Sequence, residues 1–373
     1  MEHTGVTPAG GVVARDLEPL LSGREPAATV YLATAGAVEN AAQRSEVRWR
    51  NLRDELATAG ADEAALAAVD PLVPDAHLHG ECLVAVADAS GLRFHAHLPD
   101  PPRRDVGRWS DLPSLIPLLE WRQSSPAHLV VLTDRTGADL IISGNGIVPR
   151  IGEVEGDDRV TKSGPGGWSQ PRYQQRAENN WEHNAREVAE QVVRLVDRFE
   201  PRIVVAAGDV RAVQLLREEL PDRVHALVHV IHGARSPGAS TDAEAEAVTR
   251  LVATVVAEDT VALVRKLREE LGQHDRAVEG APATLAALAR GQVEVLLVHD
   301  DPDDDRTAWF GPEATHVATT PDDLGAMGVD APHQARLVDV ALRAAVGTGA
   351  AVRVVPGAGP PAQRIGAILR WSS

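Results

Sequence analysis

Gly164-Pro165-Gly166-Gly167 stands a few residues ahead of a long amphipathic stretch. Glycine admits positive φ and proline gives up its N–H, so this segment has no local reason to be helical and reads as an exposed loop. Pro171 then suits a first helical turn, with Ser169 or Gln170 as its cap. From there Tyr173, Ala177, Trp181, Ala185, Val188, Ala189, Val192, Leu195, Val196 and Phe199 recur at helical spacing. This single stripe predicts a helix of about 29 residues, roughly 43 Å long, with one buried face. Between Arg159 and Arg176 the chain places Arg159, Lys162, Arg172 and Arg176 and no acid, although its formal net charge is −17. A cationic loop at the positive end of a helix on an anionic body reads as a phosphate-directed finger, or more plainly as a solvent loop in which arginines cluster. No Walker or dinucleotide pattern is present.

The order Lys162-Ser-Gly-Pro-Gly-Gly-Trp-Ser-Gln170, Pro171-Arg172-Tyr173, Arg176, His183-Asn184 and Val188-Ala189-Glu190 resembles the central domain of the archaeo-eukaryotic peptide release factor family. In that family, which includes Pelota and the Balon-type hibernation factors, a Gly-Gly-Gln loop opens a long helix. Here Trp168 and Ser169 separate the glycine pair from Gln170, so the tripeptide is absent. Gly167-Trp168-Ser169-Gln170 is instead similar to the Gly-x-x-Gln loop of Vms-type peptidyl-tRNA hydrolases, where an arginine follows two residues on, as Arg172 does here.

Residues 1–125 read as an α/β domain from their own patterns, and the resemblance, which begins near Ala127, implies two more α/β domains: a ribonuclease-H-like central one over 126–272 carrying the loop and helix, and a C-terminal one over 275–373. It implies a tRNA-mimicking protein on the ribosome, in the A site and at the peptidyl transferase centre, hydrolysing peptidyl-tRNA on stalled ribosomes or large subunits. Ribosomal stalk-base proteins are the further partners it suggests. Gln170 would be the catalytic residue and Gly166 and Gly167 would let the backbone approach, while Arg159, Lys162, Trp168, Arg172 and Arg176 would hold RNA. The ester is already activated, so placing a water and a dipole suffices, and neither metal nor cofactor is required. Two alternatives stand beside it. One is a hibernation factor that plugs the A site without hydrolysis, with Trp168 stacking on a base. The other is a metal-dependent nuclease using Asp134, Asp139 and Asp209; more simply, Asp134 is a turn residue and Asp209 a helix N-cap.

At 373 residues and 44% hydrophobic composition the chain can bury sizeable cores. One cysteine, Cys82, excludes an intramolecular disulfide and fits a reducing cytoplasm. No 18-residue apolar run appears, and the N-terminus lacks a leader pattern, so neither secretion by that route nor a membrane partner is expected. The acidic balance leaves only local basic surfaces for nucleic acid.

Along the first region, Thr29–Ala33 reads as a strand and Ala41–Leu56 as a helix with Val47, Leu52 and Leu56 on one side and a salt-bridged face. A hairpin joins Cys82–Ala87 to Leu92–His97, setting His95 and His97 on one face without a third ligand in view. Pro99–Pro126 looks like a connector. Beyond it come a hairpin of Leu129–Asp134 with Ala138–Ile142, a buried strand at Arg202–Ala207, a strand over Val224–Ile231 that aligns His225 with His229, and a helix over Asp242–Leu271. Gln273–Pro282 reads as a linker, followed by a helix stopped by Gly291, a strand at Gln292–Val298 and a terminal strand in Arg364–Trp371. Asp300, Asp301, Asp303, Asp304 and Asp305 read as a solvated acidic loop.

Overall fold

The computed structural model describes residues 15–23, 25–34, 40–145, 147–155, 170–232, 241–357 and 359–372. They fall into two compact units, one made of residues 1–123 with 259–373, the other of 124–258. Both are mixed α/β, as the sequence predicts.

In the first unit an antiparallel sheet runs in the order Gly91–Leu98, Cys82–Asp88, Ala27–Ala33, Val106–Ser110. Its two middle strands are buried almost throughout, which is why they read as continuous apolar runs. One face is covered by helices Ala41–Thr58 and Glu63–Val69 through Trp49, Leu52, Leu56 and Leu66. The other face joins Tyr31, Val84 and Val86 to a core shared with Leu115, Leu119, Leu285, Val340, Leu342 and Val352. The two ends of the chain therefore bury their apolar surface together.

Two expectations for this region are corrected. Val47 is 44% exposed, because the buried series is Ala41, Ser45, Trp49, Leu52 and Leu56. The salt-bridged face is present: Arg48 pairs with Asp105 at 2.9 Å, and Arg53 with both Glu63 and Asp70. The Pro99–Pro126 stretch is no mere connector, since it supplies the edge strand Val106–Ser110 and the helix Ile116–Ser124. Its prolines mask this: Pro117 sits in the first helical turn, where a missing N–H costs nothing.

A second sheet of this unit runs Ala277–Glu279, Ile365–Leu369, Val293–Val298, Ala351–Val354, the last pair parallel. Its first strand lies inside the expected Gln273–Pro282 linker, three residues being too few to leave an alternating pattern. Helix Ala281–Ala289 is followed by Gly291 at φ +67°, the left-handed stop expected. At the sheet's far edge the Gln123 side chain stands in for a strand, donating to the Val352 carbonyl and accepting from the Val354 N–H, each at 2.8 Å. A small third sheet orders Val317–Ala318, Thr307–Phe310, His333–Arg336.

The acidic loop is bound by arginines rather than simply solvated. Asp301 pairs with Arg364, Asp303 with Arg104 at 2.9 Å, and Asp304 with Arg306 at 2.8 Å. Arg103 and Arg336 donate to the main-chain carbonyls of Asp300 and Asp301 at 3.1 and 3.0 Å. Beneath it lies a buried polar group. Ser114 donates to the Asp339 carboxylate at 3.3 Å and accepts from Arg336 at 3.0 Å, and the Tyr31 hydroxyl donates to the Ser114 carbonyl at 2.9 Å. Asp339 is 1% exposed, and burial pushes its carboxyl up to about 7 against the opposing pull of Arg336 and Arg108.

The second unit is a five-stranded mixed sheet ordered Ile147–Glu155, Gly137–Gly144, His128–Thr133, Ile203–Gly208, Val228–Val230. The first three strands are antiparallel and the last two run parallel to His128–Thr133. Alternation along the middle strand fixes the layers. Leu129 and Val131 face helices Gln170–Phe199 and Val210–Glu219; Val130 and Leu132 face the part of helix Thr241–Gln273 around Val248, Val252 and Val255. One expectation fails here: Val224–Ile231 is not a continuous strand but a helical turn Asp222–His225 followed by Val228–Val230. Pro221 initiates the turn, so His225 and His229 do not share a strand face.

Candidate functional site: the seat of the long helix

Helix Gln170–Phe199 begins at Gln170, carries Pro171 as its second residue, and ends at the expected Phe199. Its buried stripe is Ala185, Val188, Ala189, Val192 and Val196, with Val193, Leu195 and Phe199 partly covered. Arg172 and Arg176 lie in its first two turns. Arg159, Lys162, Gly166, Gly167 and Trp168 lie outside the described residues.

The upper end of the stripe rests on the hairpin turn of the sheet. Asp134 accepts from the N–H groups of Thr136 and Gly137 at 2.7 and 3.0 Å and from the Thr136 hydroxyl at 2.7 Å. That side chain closes the turn, the simpler of its two sequence readings. The turn presents Arg135, whose carbonyl accepts from Asn184 Nδ2 at 3.0 Å. Its guanidinium lies 4.7 Å from the centroid of the Trp181 ring, and its Nε is 3.4 Å from Asp209. Asp209 in turn caps helix Val210–Glu219, accepting from Arg211 N–H at 2.9 Å and Ala212 N–H at 3.2 Å. Gly208, at φ +130°, precedes it, and a Cβ there would run into the Thr133 carbonyl. Asn184 is 5% exposed, and its Oδ1 has no hydrogen-bond partner among the described residues. Asn184 lines a cavity of about 10 Å³ with Thr133, Arg135, Trp181 and Leu215, room for about one water.

Chemically this is a seat for the helix. Asp134 and Asp209 serve backbone N–H groups, and among the described residues no three His, Cys, Asp or Glu side chains are grouped to hold a metal ion. Nor is any described helix long and apolar enough to cross a membrane. Sequence reading finds the helix and Asn184 but misses Arg135. No local signal could have marked it, since its partner lies 49 residues away.

Residues 127–273 match the family model of bacterial archaeo-eukaryotic release factor family 2. The match spans the five-stranded sheet and the long helix, and over this segment the chain is similar to that family. An uncharacterized protein of Mycobacterium tuberculosis, present in strains H37Rv and CDC 1551, is 27% identical over 367 residues, covering 95% of this chain and 96% of its own. Among solved structures, Archaeoglobus fulgidus Pelota is similar at 14% identity and TM-score 0.32, covering 96% of this chain and 91% of its own. Saccharomyces cerevisiae Dom34 is similar at 8% and 0.39, covering 100% and 99%. At these scores the whole-chain likeness carries no functional argument.

Proposed function

We propose that this protein acts on the ribosome as a release-factor-like factor, with Gln170 orienting water at the ester of peptidyl-tRNA in the peptidyl transferase centre. The observation that carries the reading is Gln170 as the opening residue of a 30-residue amphipathic helix within the segment that matches the family model. Trp181, the first described side chain of the helix, lies eleven residues on, so Gln170 stands about 16 Å further along the axis. The strand order of the central sheet supports the ribonuclease-H-like reading of that unit. Lys162, Arg172 and Arg176 supply phosphate contacts, and the glycines at 166 and 167 let the backbone approach the RNA walls.

The absence of a Gly-Gly-Gln tripeptide favours a second reading, a plug that occupies the same site without hydrolysis. Release of a labelled nascent chain from stalled ribosomes or large subunits separates the two. At saturating protein, Gln170→Ala is expected to lower the release rate about 10²–10³-fold while co-sedimentation with ribosomes persists. Binding with no release by either protein leaves the plug, and failure to co-sediment at low salt removes both readings.

A further inference from the structure

Building on the proposed hydrolase reading, we propose that the Arg135 hairpin turn, through Asn184 and Trp181, is the positioning clamp that fixes the direction of the long helix and hence the placement of Gln170.

The argument begins from leverage. Below Asn184 the buried contacts of the helix are Ala185, Val188, Ala189, Val192 and Val196, all aliphatic, and its polar ties, Arg186 to Glu219 and Asp197 to Arg223, are solvent-exposed ion pairs that contribute little. Burial of such side chains is strong but non-directional, so small rolls and tilts meet little resistance. Gln170 lies fifteen residues from Ala185, or about 22 Å along the axis. A tilt of about 5° there displaces Gln170 by roughly 2 Å, and misplacement by about 1 Å can cost 10²-fold in rate. A buried directional contact near the upper end of the stripe, closest to Gln170, narrows that freedom most.

The clamp supplies one from both sides. The buried Asn184 amide donates to a main-chain carbonyl, fixing roll and height together. Three residues nearer Gln170, the Arg135 guanidinium covers the Trp181 ring. Neither contact can drift with the hairpin, because Asp134 locks the turn and Asp209 engages Arg135 while capping the neighbouring helix. Arg135, although 57% exposed in its side chain, is held by Asp209 and lies over the ring. That arrangement suits a brace rather than an RNA contact.

The test measures release rate against protein concentration for wild type, Asn184→Ala, Arg135→Ala, Arg135→Lys and, as a control on the same helix, Arg194→Ala. Asn184→Ala and Arg135→Ala are expected to lower the saturating rate about ten- to hundredfold, with half-saturation and its salt dependence unchanged. Arg135→Lys, which keeps a cation over Trp181, should recover most of the loss, and Arg194→Ala should match wild type. Unchanged saturating rates overturn the proposal, as does weaker binding with a shallower salt slope, the mark of a lost phosphate contact. If wild type releases nothing, the hydrolase reading has failed and the clamp is judged alone. Spin labels at Gln174→Cys and Glu218→Cys, both in the central unit, then report the helix direction. A shifted or broadened distance distribution on adding Asn184→Ala supports the clamp, and an unchanged one overturns it.

Discussion

Asp339→Asn should make the protein more stable above neutral pH, and the size of the gain follows from the burial of this carboxyl. An unfolded aspartate titrates near 3.9, whereas the folded one is pushed up to about 7. The folded state thus binds an extra proton between those values, so the stabilisation is complete below the unfolded pKa and is lost as pH rises through the folded one. Each pH unit in that window costs about 1.4 kcal/mol, amounting to about 2 kcal/mol by pH 5.5 and about 4 kcal/mol above pH 8. Asparagine does not titrate and can still accept from Ser114. The difference in unfolding free energy between Asp339→Asn and wild type should therefore rise by about 2 kcal/mol between pH 5.5 and pH 8. Urea titrations at the two pH values, followed by hydrogen exchange of the Leu337–Gly347 helix, measure it, and taking the difference cancels every other titrating group. A difference that stays flat with pH, or that falls as pH rises, refutes the reasoning.

Asp209→Ala should loosen helix Val210–Glu219 by about 1–2 kcal/mol, read as faster exchange of its first-turn amides, whereas Asp209→Asn keeps the cap and should cost at most about 0.5 kcal/mol; equal losses would assign the effect to the Arg135 pair instead. Cys82 is buried, and desolvation pushes its thiol up to about 12, so alkylation at pH 8 should be slow in the native protein and become fast only in denaturant.

Much of the central unit is legible in sequence because its signals are local. The stripe from Ala185 to Phe199, the Asp209 cap behind Gly208 and the Asp134 turn each need only neighbours within a few residues, and each is found where expected. Readings fail where a distant partner decides the outcome. Val47 is as apolar as Leu52, but the sheet selects the face that carries Trp49. Asp300 to Asp305 have the composition of a solvated loop, and what changes them is Arg103, Arg104, Arg336 and Arg364, each at least 35 residues from its partner in the loop. Pro99–Pro126 misleads for a related reason: its strand and helix are defined by partners at Ala28 and in the C-terminal core. For the glycine-rich segment, residue type alone points to Gln170 as a candidate and carries no sign of the Arg135 hairpin.

The shared core of the first unit has a consequence for the order in which the chain can fold as it is made. Ser114 meets Asp339 across 225 residues and Gln123 meets Val352 across 229, so neither contact can form until nearly the whole polypeptide has emerged. Residues 124–258, by contrast, contain every strand of their own sheet and can condense while synthesis continues. Until translation reaches Ile365–Leu369, the face of the first sheet carrying Tyr31, Val84 and Val86 lacks its C-terminal cover. During that interval the nascent N-terminal segment exposes an apolar sheet face that the finished protein buries.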